Sequence, residues 1–237
     1  MPLIGADALS PLLYFRLSSW AQARQCVDKE DSKGDVFWSG FDSRAIRLET
    51  KLNGATVFEV DSPGSQLQKR AAVTRLFPSA VASKGDPSSQ AGLRFVAQDF
   101  EHEPVDSLPD VLRREGLDTN KPTFVLLEGV VEYLTPEAVD ATVRIARALG
   151  GVHSRLVVEF VRPSDHQMSR AERFFARFDP AGEEIRFKGW DDGALGPYLA
   201  ERGWKLLSSE STNEAAQRFK ARPVTGVVTF VAVAEAT

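Results

Sequence analysis

The chain has one cysteine, Cys26, and three histidines among 237 residues. A single thiol forms no intrachain disulfide and builds no cysteine-based zinc site, so a reducing, cytoplasmic setting is expected, and no metal. Long hydrophobic runs are missing too. None approaches the roughly 18 to 20 residues of a membrane span, and the opening MPLIGADALSPLLYFRLSSW puts no charge ahead of its apolar part, as a secretory leader would. Neither sign of charge dominates: 29 Lys and Arg are mixed with 33 Asp and Glu for a net charge of −4, with no basic stripe to neutralise phosphates. Nucleic acid and membrane are therefore not expected partners. What is present is ordinary globular composition, 43% hydrophobic and 26% charged. A chain of this size buries roughly 70% of its unfolded surface, enough for one large domain without a staple.

Short apolar runs alternate with helix-like runs, the pattern of an α/β parallel sheet. The strand expectations are Val36 to Ser39, Thr56 to Val60, Leu93 to Ala97, Thr123 to Leu127 and Leu156 to Val161. Their nearly continuous apolar character suits a sheet with helices on both faces. Thr135-Pro136-Glu137 reads as an N-cap, a first-turn proline and a first-turn acid. Val139, Val143, Ala146 and Gly150 then share a stripe that ends at Gly150-Gly151. Ser107 is expected to cap a helix that turns Leu108, Val111 and Leu112 inward and ends at Gly116. Beyond a polar stretch, Trp190 to Gly203 reads as a helix, Trp204 to Ser209 as a strand and Val224 to Ala234 as a closing antiparallel strand. The expected topology is a mostly parallel seven-stranded sheet with an antiparallel end.

Open parallel sheets bind ligands at the carboxyl ends of their strands. Four successive expected strands end there in acids or glycine turns: Ser39-Gly40-Phe41-Asp42, Glu59-Val60-Asp61, Gln98-Asp99-Phe100 and Glu128-Gly129. Acids crowded along one edge repel unless they bind something, although each can also cap the next helix. Asp61 stands about 20 residues after Gly40, the spacing between a nucleotide-binding turn and the acid that takes ribose hydroxyls. The glycine fingerprint of dinucleotide enzymes is absent, since WSGFDS holds one glycine. A ribose ligand without phosphate fits better, and S-adenosylmethionine is the commonest such cofactor.

GFDSRAIRL, VFEVDSP with Lys69-Arg70 after it, VAQDF and LLEGVVEYLTPEAV, in this order, resemble the leucine carboxyl methyltransferase family. The resemblance runs from about Val36 to Val161, with a weaker echo in GALGPYLAERGWKLL. It implies a Rossmann-like class I methyltransferase that uses S-adenosylmethionine. Residues 34–237 would form the methyltransferase domain, residues 1–33 a short helical lid segment, and residues 162–190 a cover over the acceptor site. By position, Gly40 and Phe41 would lie in the turn under the methionine part. Asp61 would hold the ribose hydroxyls with Ser62 beside it, and Asp99 and Phe100 the adenine. Glu128 and Gly129 would lie near the methionine amino group or the sulfonium. Asp42 and Arg44 match the family's Asp-(Ser/Thr)-Arg, a pair that shapes the first turn.

The family usually shows Gly-x-Gly where this chain has Trp38-Ser39-Gly40, and a longer segment where only 33 residues precede Gly34. Arg16, Arg24 and Lys29 are candidates to meet the cofactor carboxylate. A carboxylate acceptor is ionised at neutral pH and needs no base; a phenol or alcohol would turn attention to His102 or Tyr133. Tyr133 either orients the acceptor oxygen or packs on the next helix. Phe174, Phe175 and Phe178 line an acceptor pocket or bury a helix face. Arg162 meets an anionic acceptor or stays at the surface, and His153 and His166 share no evident site with His102. The expected activity is O-methylation of a carboxylate on a small molecule or peptide, in a possible homo-oligomer. A disabled S-adenosylmethionine-binding protein and a nicotinamide-dependent oxidoreductase are the alternatives.

Overall fold

The computed structural model describes residues 12–15, 44–47, 55–77, 92–99, 105–162, 185–191, 193–223 and 228–237. In chain order the elements are β1 (Leu12–Phe15), α1 (Arg44–Arg47), β2 (Thr56–Asp61), α2 (Pro63–Leu76), β3 (Gly92–Ala97) and α3 (Leu108–Arg114). They continue with β4 (Phe124–Leu127), α4 (Pro136–Ala148), β5 (Arg155–Phe160), α5 (Leu195–Ala200), β6 (Trp204–Ser211), α6 (Thr212–Arg218) and β7 (Phe230–Ala236). The strands form one sheet in the order β3-β2-β1-β4-β5-β7-β6. The first five are mutually parallel, and β7 runs antiparallel to both β5 and β6. This is an α/β fold of Rossmann-like class.

The central position belongs to Leu12–Phe15, which pairs with β2 on one side and β4 on the other. Within the segment expected to be helical, residues 1–33, these four residues are strand; the rest of that segment lies outside the described residues. A strand at the centre of a parallel sheet usually carries an unbroken apolar run, and LLYF is one; the expected strand Val36 to Ser39 lies outside the described residues. The other strands fall where apolar runs placed them, within a residue or two at most ends. β7 begins at Phe230, and residues 224–227 are outside the described set.

The main core lies between the sheet and helices α3 and α4, with Phe58, Val60, Leu108, Leu112, Val125, Leu127, Val139, Val143 and Leu156 all buried. Helix α4 starts as its sequence dictates. Thr135 accepts a hydrogen bond from the Ala138 N–H at 3.2 Å, Pro136 occupies the first turn, and Val139, Val143 and Ala146 face inward. Gly150 closes the far end where a Cβ would lie 2.3 Å from Ser154 Oγ.

Two local expectations are corrected, and one helix was not foreseen. Ser107 sits in a 3₁₀ turn with helical backbone angles and makes no side-chain cap bond, because the chain is already turning before α3 begins. The helix expected from Trp190 to Gly203 shrinks to Leu195–Ala200. Trp190 is instead buried in extended chain, edge-on to Phe160 at 5.2 Å and to Phe187 at 4.8 Å between ring centroids. The polar stretch after β6 is helix α6, closed by a capping box: Glu214 N–H donates to Ser211 Oγ at 3.1 Å, and Ser211 N–H donates to Glu214 Oε2 at 2.7 Å.

Candidate functional site

Strand register places the acids. Phe15 at the end of β1 pairs with Val60 on one side and Leu127 on the other. The next residues along those neighbours are Asp61 and Glu128. They therefore stand at one height across the carboxyl end of β1, about 10 Å apart as two strand spacings. Asp61 in turn pairs with Ala97, so Asp99 lies two residues beyond that level on β3. The Gln98 N–H donates to the Asp61 carbonyl at 2.9 Å, carrying the β2–β3 ladder past the end of β3. Sequence reasoning named Asp99 and passed over Gln98, which is buried; the signal was its position one step before the acid.

Asp61 is only 6% exposed although it ends its strand. Its Oδ1 accepts the Ser62 N–H at 2.7 Å, which fixes the carboxylate against the start of α2. Ser62 is the N-cap of that helix: its Oγ accepts the Ser65 N–H at 3.5 Å, with Pro63 in the first turn. The string Asp-Ser-Pro thus encodes strand end, cap and first helical residue in three consecutive positions.

Beyond β4, Gly129 adopts φ +62°, and among the described residues a Cβ there would meet no atom within 4 Å. The left-handed backbone explains the glycine, which directly follows Glu128. The chain then makes a 3₁₀ turn, Val131–Tyr133, in which Val130 and Val131 are fully buried and Tyr133 is half-buried. The Glu132 carbonyl accepts N–H groups of Arg186 at 2.9 Å and Phe187 at 3.3 Å, so residues 185–190 cross from this turn toward β5. Gly189, at φ +73°, packs on the Val161 carbonyl so closely that a Cβ would fall 1.9 Å from it.

Asp61, Ser62, Asp99, Glu128, Gly129 and Tyr133 are therefore gathered at one edge of adjoining strands. Gly40, Phe41 and Phe100 lie outside the described residues, as do Trp38, Asp42, His102, His166, Arg16, Arg24, Lys29 and the three phenylalanines 174, 175 and 178. The side chain of Arg44 is likewise not described. His153 sits in the turn before β5, at the opposite edge, exposed and 3.0 Å from Glu235. Arg162, after β5, stacks over the Phe230 ring at 3.9 Å. Its charge adds to the Ser211 backbone and hydroxyl hydrogen bonds that hold the Glu214 carboxyl below the usual range. Among the described residues no cluster of three or more His, Cys, Asp or Glu could hold a metal, and no helix is long and apolar enough to cross a membrane.

Residues 36–146 match the model of the leucine carboxyl methyltransferase family. Over this region the chain is similar to that family. A protein of Frankia alni named among S-adenosyl-L-methionine-dependent methyltransferases is 32% identical over 181 residues, covering 72% of this chain and 54% of its own length. One of Mycobacterium avium, named likewise, is 34% identical over 184 residues, covering 73% and 54%. The chain thus spans about half the length of the curated relatives it matches. In fold it is similar to magnesium protoporphyrin IX methyltransferase of Synechocystis PCC 6803, solved with bound SAH, at TM-score 0.50 and 12% identity, covering 97% of this chain and 75% of that one. The family match begins at the residues that expected strand one would occupy and ends inside α4. It therefore contains every acid gathered at the edge.

Proposed function

We propose that this chain is an S-adenosylmethionine-dependent methyltransferase whose acceptor atom is a carboxylate oxygen of a small molecule or peptide. The observation that carries the reading is the common height of Asp61 and Glu128 across β1, with Gly129 directly following Glu128. An ionised carboxylate accepts two vicinal hydroxyl groups at once, which suits Asp61 to a ribose. The same site disfavours a phosphate on that ribose. A buried carboxylate repels it, and Pro63 removes an N–H that a helix start would offer it. The names of the relatives support the same cofactor.

In this reading Asp61 with Ser62 holds the ribose, Asp99 and Phe100 hold the adenine, and Glu128 meets the methionine amino group. Gly40, Phe41 and Gly129 let the backbone approach. S-adenosylmethionine, when bound, supplies a methyl carbon activated by a sulfonium. The chain contributes alignment and exclusion of water, and Tyr133, half-buried in the turn after Glu128, orients the acceptor oxygen. An acceptor carboxylate with a reference pKa near 4 arrives ionised, so no proton has to be removed. The placement of His153 at the far edge of the sheet agrees with a reaction that does not call on it.

Incubation with methyl-labelled S-adenosylmethionine and a panel of carboxylic acids and peptides tests the proposal. Methyl esters release their label as methanol under mild alkali, whereas ethers and methylamines retain it. Alkali-labile label is the expected result. Label that resists alkali contradicts a carboxylate acceptor, and cofactor binding without transfer to any acceptor contradicts turnover itself.

A further inference from the structure

Helix α2 is held to the sheet in an unusual way. Its buried positions are Ser65, Gln66, Lys69 and Val73, of which only Val73 is apolar, while Leu67 and Leu76 face outward at 72% and 62% exposure. Hydrophobic burial, which is non-directional in any case, therefore does little to set this helix on β2. Two polar contacts to one residue do. The Gln66 Nε2 donates to the Glu59 carbonyl at 2.7 Å, and the Lys69 Nζ lies 2.6 Å from Glu59 Oε2, with both charged side chains nearly out of contact with water at 8% and 5% exposure. The Gln66 Oε1 is buried without a hydrogen-bond partner, so the arrangement is not optimised for stability. Buried ion pairs in general contribute little net stability against an apolar replacement of equal volume; their best-attested use is to fix register.

Glu59 and Asp61 are two residues apart on one strand and so lie on the same face of β2. The connection from the pair to Asp61 is continuous. Lys69 and Gln66 set the pose of α2, the pose of α2 aims the Ser62 amide, and that amide holds Asp61 Oδ1 at 2.7 Å. We infer that the buried Glu59–Lys69 pair is a positioning device for the ribose-binding carboxylate, and that Glu59 and Lys69 set the chain's preference for a ligand with both ribose hydroxyls. This rests on the proposed role of Asp61.

The test is the double variant Glu59→Met with Lys69→Met, which removes both charges and keeps volume. Its urea midpoint is measured alongside calorimetric affinities for adenosine-based S-adenosylhomocysteine and for the analogue lacking the 2′ and 3′ hydroxyls. The expected result is a folded protein with a midpoint at or above that of the parent chain, in which the preference for the hydroxylated ligand falls at least tenfold. A folded double variant with the parent preference overturns the inference and leaves Asp61 in its role. Should the double variant fail to fold, Glu59→Gln, nearly isosteric, is read the same way: lowered preference with the fold retained supports the device, and unchanged preference overturns it. A parent protein that binds neither adenosine compound removes the underlying reading, an outcome distinct from binding that is insensitive to the pair.

Discussion

Asp61 is a buried acid at a strand end, where an exposed residue would be ordinary, and its carboxylate is already oriented by the Ser62 amide. Asp61→Ala should weaken S-adenosylhomocysteine binding by about 1 to 3 kcal/mol, the cost of leaving ribose hydroxyls unpaired. Calorimetry with the parent and variant checks this, and equal affinities would remove the ribose role. Two glycines give a second residue-level expectation. Gly129 and Gly189 both have positive φ, but among the described residues a Cβ at Gly129 meets no atom within 4 Å whereas at Gly189 it strikes the Val161 carbonyl. Gly129→Ala should cost about 1 to 2 kcal/mol of stability through backbone strain alone. Gly189→Ala should cost more, about 2 to 5 kcal/mol, because overpacking adds to the strain. Urea denaturation of the two variants should rank them in that order.

At the scale of elements, stretches where local chemistry and tertiary packing agree were legible. Thr135-Pro136-Glu137 began α4, and the apolar runs ending in Asp61, Gln98 and Glu128 placed three strand ends of the site. Helix α6 escaped because only Ala216 of it is buried, so it carries no apolar stripe. Its readable signal was local: Ser211-Thr212-Asn213-Glu214 is a capping box. Glu214→Ala should therefore destabilise the protein by about 1 kcal/mol, seen as a lowered urea midpoint without change in ligand affinity, since α6 follows β6, five strands across the sheet from β2. Leu12–Phe15 was not foreseen as β1, because its place in the sheet rests on pairing to β2 and β4 and pairing is not a local property; the expected strand Val36 to Ser39 lies outside the described residues. The acids of the candidate site were legible because each stands at or just past a strand end, Asp61 ending β2, Asp99 two residues past β3 and Glu128 directly after β4, so finding the strand found the residue.

Across the whole molecule, distant segments are tied by charge. Asp140 on α4 accepts from Arg202, which follows α5, at 2.5 Å from its Nε, and from Arg144 at 2.6 Å. The Arg144 hydrogen bond, aided by Arg202 and opposed by partial burial, holds the Asp140 carboxyl below its ordinary value. A lowered carboxylate pKa stabilises the fold above the unfolded value, near 4, and that stabilisation is lost as pH falls through the lower folded value. Asp140→Asn should accordingly lower the urea midpoint at pH 7, and the difference from the parent should shrink as pH drops below about 4. A difference that stays constant with pH would mean that charge is not its cause. The central claim concerns the other end of the sheet, where Asp61, Asp99 and Glu128 share one edge and are proposed to hold a single adenosine. Its most direct test is a crystal structure with S-adenosylhomocysteine bound. The account predicts the ribose hydroxyls on Asp61, the adenine beside Asp99 and the amino acid end near Glu128 and Gly129; a nucleoside seated elsewhere, with Asp61 and Glu128 untouched, would contradict it.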